Sequence, residues 1–444
     1  STFFFMIPEF GDMVKVHTKE QVYEGILLPR PEIFDENFTV IKLDNGYNMG
    51  IENKRIEKIE VVEKYQRKKE ERCRMEHKKE LLNISILHTG GTIASKVDYR
   101  SGGVVAAFSP EDIIAMFPEL AEIANIDSEL IANMWSDDLR FPHFKLIAKA
   151  IEKKVKEGSD GVIIGMGTDN LAVASAALAF IIEQTPIPII LVGAQRSSDR
   201  GSSDAGMNLI CAAEFIAKTD FAGVAICMHE HSDDKTCAIL PPTKTKKLHS
   251  SRRDAFKPVN DIIIARVDYN SRKIEFIQSN YAKKDKSGKL VIKPNMEEKV
   301  GLLKITINMF SEQFEFFKGY KGLVIEGTGL GHTPGHVPNE SAKIHAKIFP
   351  AIKKVIDSGC IVIMTTTCLF GRVEMQVYSK GRDLLKLGVI PSEDMLPETA
   401  FVKLAWLLGN YKKDEVKELI GENLRGEIND RITSKDFIEQ SFFS

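Results

Sequence analysis

The stretch "ILHTGGTIAS", residues 86–95, ends an apolar run in a polar turn with two glycines, then a threonine, then small residues. The near-continuous apolar run that feeds it, "ISIL", reads as a strand buried on both faces rather than one with a wet side. A second run of the same kind, "GVIIGM", delivers the chain into "GTDN" at 167–170. Further runs, "PIILVGA", "GVAICM" and "DIIIARV", alternate with helical patterns at 142–157 and 170–184. Strand–helix alternation of this kind predicts an α/β body: a largely parallel sheet covered by helices on both faces. In such sheets, function collects at the carboxyl ends of the strands. The turns beginning at Thr89 and Met166 are therefore the first places to look for chemistry.

Working outward, residues 1–62 have a different grammar. "MVKV", "YEGILL", "FTVIKL", "YNMGI" and "IEKIEVV" are short strands, and Asp44-Asn45-Gly46 is a strong hairpin signal. Five short strands in so few residues predict a small SH3- or Sm-like β-barrel, a docking or binding module without a catalytic constellation. Residues 63–82 are almost wholly charged. Glu63/Arg67 and Glu70/Arg74 stand at the i,i+4 spacing of an exposed helical connector. The large α/β domain then runs over 83–285, a lysine-rich linker over 286–299, and a smaller α/β domain over 300–444. That second series begins with "VGLLKI", "GLVIEGTG" and "CIVIMTTT".

Composition narrows the function classes. Hydrophobic residues make up 43% and charged residues 27%, and no apolar run approaches the roughly 18 to 20 residues that span a bilayer. The opening "STFFFMIPEF" lacks a basic n-region and a small-residue cleavage site, so a secretory signal is not expected. Six scattered cysteines without a C-x-x-C pair fit a reducing cytoplasm. A net charge of −2 argues against a surface that binds nucleic acid by phosphate neutralisation alone.

The glycines of the two strand-end turns let the backbone bend sharply and approach a ligand, while the threonines project hydroxyls. Strand-end turns also offer backbone N–H groups, the ingredients of an oxyanion hole. Thr92 and Thr168 are thus placed at one crevice, with the carboxylate of Asp169 beside them. A phosphate-cradling alternative fits poorly: 165–170 begins like G-x-G-x-x-G but has Asn170 in the last glycine's place, and no Walker sequence occurs. The histidines of "CMHEH" (His229, His231) and "GHTPGH" (His332, His336) lack an H-E-x-x-H pattern, and Pro334 and Gly335 argue against a helix. Both groups read as loop or core residues rather than metal ligands.

Together, "TGGTIAS" (89–95) and "GMGTDN" (165–170) resemble the paired signatures of the bacterial-type L-asparaginase family, amidohydrolases with a threonine nucleophile. The likeness continues through "VGAQRSSDRGSSDAGMNL", "KKLHSSRRDAF" and "GRVEMQVYSKGRDLLKLGVIPSEDMLPETAFVKLAWLLG". It implies an asparaginase-like pair of α/β domains, large then small. By this resemblance Thr92 is the nucleophile, and Thr168, Asp169 and Lys247 form a second cluster. Lys247 is preferred to Lys244 and Lys246 because it precedes Phe256 by the family's usual interval. "MWSDDL" falls where the family holds the substrate's α-amino and carboxylate groups, which nominates Ser136 and Asp137. Gly91 and Gly167 bring backbone close to the bound amide, and Tyr99 helps to activate Thr92. No metal is required.

The N-terminal addition distinguishes this chain from free asparaginases, which begin close to their TGGT motif. A barrel, a charged connector and "HTGGTIASKVDYRSGGV" together resemble the D-subunit family of archaeal glutamyl-tRNA(Gln) amidotransferases. That resemblance implies release of ammonia from glutamine by this chain. It also implies a partner E subunit that binds Glu-tRNA(Gln), uses ATP and Mg²⁺, and receives the ammonia. The chain itself would need no cofactor and would pair as a homodimer within a heterotetramer. A free-standing L-asparaginase with an accessory domain and a non-catalytic small-molecule binding module are the alternatives.

Overall fold

The computed structural model describes residues 7–28, 37–43, 48–64, 77–91, 93, 95–97, 104–106, 109–196, 203–434 and 437. The expected i,i+4 pairs of the charged connector and the Asp44-Asn45-Gly46 turn lie outside the described residues.

The N-terminal module is a five-stranded antiparallel sheet. Its strand Met13–Thr18 pairs with both Val22–Leu28 and Ile56–Glu63, and Phe38–Lys42 and Asn48–Glu52 complete the order. Alternate residues Val14, Val16, Leu27, Ile41 and Ile51 form its small core, as a period of two demands.

The strand expected from "ISIL" spans Leu82–His88 and sits inside an eight-stranded sheet. Its neighbours Ala124–Leu130 and Gly161–Gly165 run parallel to it, as do Pro188–Val192 and Gly223–His229 beyond. Ile84 and Ile86 join the core on one face and Leu87 the core on the other. Ile163 and Ile190 divide from Val162 and Leu191 in the same way. That two-sided burial is why these runs lack polar alternation. Three antiparallel strands, Thr236–Leu240, Ala265–Asp268 and Ile274–Phe276, extend one edge, so the sheet is mixed rather than wholly parallel.

The later strands Val300–Lys304, Gly322–Gly327, Ile361–Thr366 and Ile390–Pro391 make a separate parallel sheet. Its helix Pro397–Asn410 does not stay with that sheet alone. It packs on helix Leu171–Ile181, where Phe180 stacks on Trp406 with ring centroids 5.7 Å apart, and one hydrophobic core spans both sheets. Helix 171–181 is apolar nearly all round for this reason: it is covered on every side.

Candidate active site

Strand register sets the level of the site. His88 lies opposite Gly165, and Gly165 opposite Val192, so three parallel strands end side by side. The turns that leave them, 89–91, 166–170 and 193–195, share one crevice at the carboxyl edge, where an open α/β sheet exposes its strand ends. Thr89 is tied across the crevice by its N–H to the Gly165 carbonyl at 3.0 Å. Gly90 and Gly91 have φ of +115° and +85°, the left-handed region that side chains avoid. A Cβ on Gly90 would come within 2.3 Å of the Met134 carbonyl oxygen, and one on Gly91 within 2.6 Å of the Gly167 nitrogen. Gly91 therefore lets this turn pack directly on the "MGTDN" turn, and Gly90 lets it pack against the backbone of Met134. Gly193 makes the same allowance from the third strand, since its Cβ would sit 2.8 Å from the Thr168 methyl.

The lysine arrives on a two-stranded hairpin, Thr245–Lys247 against Phe256–Pro258, with Lys247 directly opposite Phe256. Lys247 Nζ donates to Thr168 Oγ1 at 2.9 Å and to Asp169 Oδ1 at 2.8 Å. Its side chain is 13% exposed, that of Asp169 62%. The neighbouring lysines go elsewhere. Lys244 is sealed against Asp394 with both side chains fully buried, and Lys246 pairs with Glu398. The hairpin alternation separates Lys246 from Lys247, and burial separates Lys244 from both.

Ser136 and Asp137 begin a single 3-10 turn, Ser136–Asp138. Ser136 is buried beneath Gly167, whose Cβ would lie 3.1 Å from the serine Cβ. Asn170 clamps this turn to the strand end: its N–H donates to Ser136 Oγ at 3.3 Å, and its amide to Ser136 O at 3.1 Å and Asp137 Oδ1 at 3.2 Å. The structure thus gathers Gly91, Ser136, Asp137, Gly167, Thr168, Asp169 and Lys247 at one edge. Thr92 and Tyr99 lie outside the described residues. Beyond the glycine turn, Ser95–Val97 pairs antiparallel with Val104–Ala106.

Gln195 lies within the "VGAQRSSDRGSSDAGMNL" stretch of the family likeness, which assigns it no role. It accepts the Thr168 hydroxyl at 2.8 Å, and its own amide donates to the Arg252 carbonyl at 2.9 Å. Its backbone N–H is held by the buried Asp204 carboxylate at 3.1 Å. A further signal is topological: 193–195 is the third turn in the row, after the strand next to "GVIIG". His88, at the end of its strand, is buried, and that burial pulls its pKa down to about 4, so it stays neutral near pH 7. His229 is also buried, with Nδ1 2.7 Å from Asn208 Oδ1, while His336 Nε2 lies 3.0 Å from Asp383 Oδ2. Among the described residues no group of three or more His, Cys, Asp or Glu is arranged to hold a metal ion. No helix among them is long and apolar enough to cross a membrane.

Three family models match the chain in succession: the GatD N-terminal domain over 8–62, the asparaginase N-terminal domain over 83–281, and the glutaminase/asparaginase C-terminal domain over 299–420. The D subunit of the Pyrococcus furiosus glutamyl-tRNA(Gln) amidotransferase is 46% identical over 429 residues, 95% of each chain. The chain belongs to the D-subunit family of these amidotransferases. Another D subunit, from Methanococcus maripaludis, is 42% identical over 96% of this chain and 99% of its own length. Among solved structures, the L-asparaginase of Thermococcus kodakarensis matches with a TM-score of 0.68 and 29% identity, covering 79% of this chain and all of its own. L-asparaginase I of Vibrio cholerae matches at 0.65 and 26%, over 79% of this chain and 99% of its own. The asparaginases are therefore used up before this chain is, whereas the D-subunit family matches it nearly end to end. The antiparallel module at 8–62 is part of what the family model covers, and the free-standing asparaginase alternative leaves it without a counterpart.

Proposed function

We propose that this chain is the glutaminase subunit of a tRNA-dependent amidotransferase. The observation that carries the reading is Lys247, held between Thr168 and Asp169 against the strand end on which the Gly91 turn packs. An amide is a poor electrophile, and a threonine hydroxyl is a weak nucleophile that must lose its proton to attack. Thr92, next to Gly91 in the chain, attacks the side-chain amide carbon of glutamine. Its proton goes to the departing nitrogen, ammonia leaves, and a γ-glutamyl ester forms on Thr92. Water then cleaves the ester, giving glutamate and restoring the hydroxyl. Thr168, Asp169 and Lys247 manage the proton and the charge, and Tyr99 assists Thr92. Gly91 and Gly167 let the carboxamide approach the backbone, where N–H groups stabilise the oxyanion. Asp137 pairs with the substrate's α-ammonium and Ser136 with its carboxylate.

The chain needs no cofactor or metal of its own in this scheme. ATP and Mg²⁺ serve the partner E subunit, which binds Glu-tRNA(Gln), activates its γ-carboxyl and receives the ammonia. Two copies of this chain and two of the partner form a cytoplasmic heterotetramer. The test is ammonia release from glutamine and from asparagine, with and without the partner, Glu-tRNA(Gln), ATP and Mg²⁺. Glutamine turnover that rises with the full set is expected. Fast asparagine turnover by the chain alone would favour a free asparaginase, and no turnover under any condition would leave only a binding module.

A further inference from the structure

Four groups in the site form a hydrogen-bonded chain with one direction. Lys247 Nζ donates to Thr168 Oγ1 at 2.9 Å, Thr168 Oγ1 to Gln195 Oε1 at 2.8 Å, and Gln195 Nε2 to the Arg252 carbonyl at 2.9 Å. The last group fixes the sense of all the others. A backbone carbonyl can only accept, so the Gln195 amide must turn its nitrogen toward Arg252 and its oxygen toward Thr168. An amide oxygen can only accept too, so the Thr168 proton must point at Gln195 and away from Lys247.

Both ends of the chain come from one hairpin. Lys247 sits on its first strand, opposite Phe256, and Arg252 lies in its tip. The tip is itself pinned: the N–H groups of Ser251 and Arg252 donate to His249 Nδ1 at 3.1 and 3.0 Å, and the Arg252 guanidinium grips Asp254 at 2.7 and 2.8 Å. Asp204 holds the Gln195 and Arg196 N–H groups at 3.1 Å each. Gly193 leaves room for the Thr168 methyl, which fixes the rest of that side chain.

We propose that Gln195 is a positioning residue that sets the rotation of the Thr168 hydroxyl. A hydroxyl has one proton to give and two lone pairs to offer. Gln195 takes the proton, Lys247 occupies one lone pair, and the second has no partner among the described residues. Thr168 is thereby kept as an acceptor toward the reacting groups, with Lys247 as its donor. This inference rests on the glutaminase reading of the site and adds to it the residue that sets its proton direction.

The test uses the full chain purified with its amidotransferase partner, assayed for glutamine-dependent ammonia release. Gln195→Leu keeps the size of the side chain and removes its acceptor. It is expected to lower kcat about tenfold, with KM within about twofold, the pattern of a lost transition-state contact of one hydrogen bond. Gln195→Glu restores an acceptor oxygen. Its kcat should exceed that of the leucine variant, and its ratio to the parent should rise as pH falls, because a protonated carboxyl can both accept from Thr168 and donate to Arg252. Parental kcat in Gln195→Leu, an effect on KM alone, or a Gln195→Glu ratio that is flat with pH would each overturn the proposal. If the leucine variant does not fold, the pH dependence of the glutamate variant decides alone. Lys247→Ala is assayed in parallel. Parental turnover there would sink the glutaminase reading itself, whereas an inactive Lys247→Ala beside a parental Gln195→Leu would sink only the role of Gln195.

Discussion

Lys244 and Lys247 stand three residues apart on one hairpin, and each meets a carboxylate, yet the two pairs belong to different parts of the molecule's physics. Lys244 and Asp394 are both fully buried where the large domain meets the small one. Every atom there has a use: Asp394 Oδ1 accepts the Asn429 N–H at 2.9 Å while Oδ2 takes the lysine, and the Asn260 amide donates to the Asp394 carbonyl at 3.3 Å. Burial pulls the Lys244 pKa down, and Asp394 opposes the loss of its proton. Lys403 and Glu427 repeat the pattern, again fully buried. Lys247 instead faces an Asp169 that is mostly in water, and its second contact is a hydroxyl rather than another structural strut. A sealed pair fastens domains; a half-open pair beside a hydroxyl can do chemistry.

Exchanging the roles of the two lysines by mutation gives the largest contrast. Lys247→Ala should lower glutamine-dependent ammonia release about a thousandfold, within the range expected for removing a group that manages protons. The same change should cost about 1 kcal/mol or less in stability, because the Asp169 carboxylate it leaves behind is mostly exposed and stays hydrated. Lys244→Met should do the reverse. It leaves the Asp394 charge buried without its cation, at a cost of about 3–5 kcal/mol. Adding Asp394→Asn removes that charge and should recover most of the loss. Denaturant titrations of the single and double variants check this, and additive losses would show that the pair is not coupled.

His88 sharpens the comparison, because it is a buried titratable group at the edge of the reactive crevice. Its folded pKa of about 4 lies below the ordinary histidine value of about 6.5. The unfolded chain therefore binds a proton first as pH falls. The stability that comes from keeping His88 neutral is complete above about pH 6.5 and is lost progressively down to about pH 4, amounting to about 3 kcal/mol. His88→Gln should flatten that slope, read as the difference between variant and parent denaturation at about pH 7 and about pH 4.5. Equal slopes would show that His88 does not drive it.

Much of this architecture was legible because burial writes itself into the sequence. "GVIIG" and "PIILV" lack polar alternation since both faces of the sheet are covered, and the glycines of "TGG" mark a backbone approach that side chains would block. Partnerships across the fold left weaker traces. The apolar periodicity of helix 397–410 tells that it is buried, but not that it packs on helix 171–181 beneath the other sheet. Lys403, in the middle of "FVKLAWLL", gives no sign that Glu427 waits for it. Gln195 looked like any polar residue after a strand, because a neutral amide shows its importance only through what it orients. The antiparallel edge strands were hidden for a related reason: Cys237 and Ile239 are as buried as the residues of a parallel strand.

The third lysine completes the sorting and carries the smallest effect. Lys246 points to the face of the hairpin opposite Lys247 and pairs with Glu398 at the start of helix 397–410. The two side chains are 33% and 35% exposed, so water already screens the pair. Lys246→Ala should therefore change stability by about 1 kcal/mol or less. It should also leave glutamine turnover within about threefold of the parent, since no described contact joins Lys246 to Thr168 or Asp169. Charge alone makes Lys246 and Lys247 equivalent; only the alternation of a strand makes one of them reach the threonine. A Lys246→Ala variant as inactive as Lys247→Ala would mean that the crevice responds to the summed positive charge of the hairpin rather than to a single placed amine.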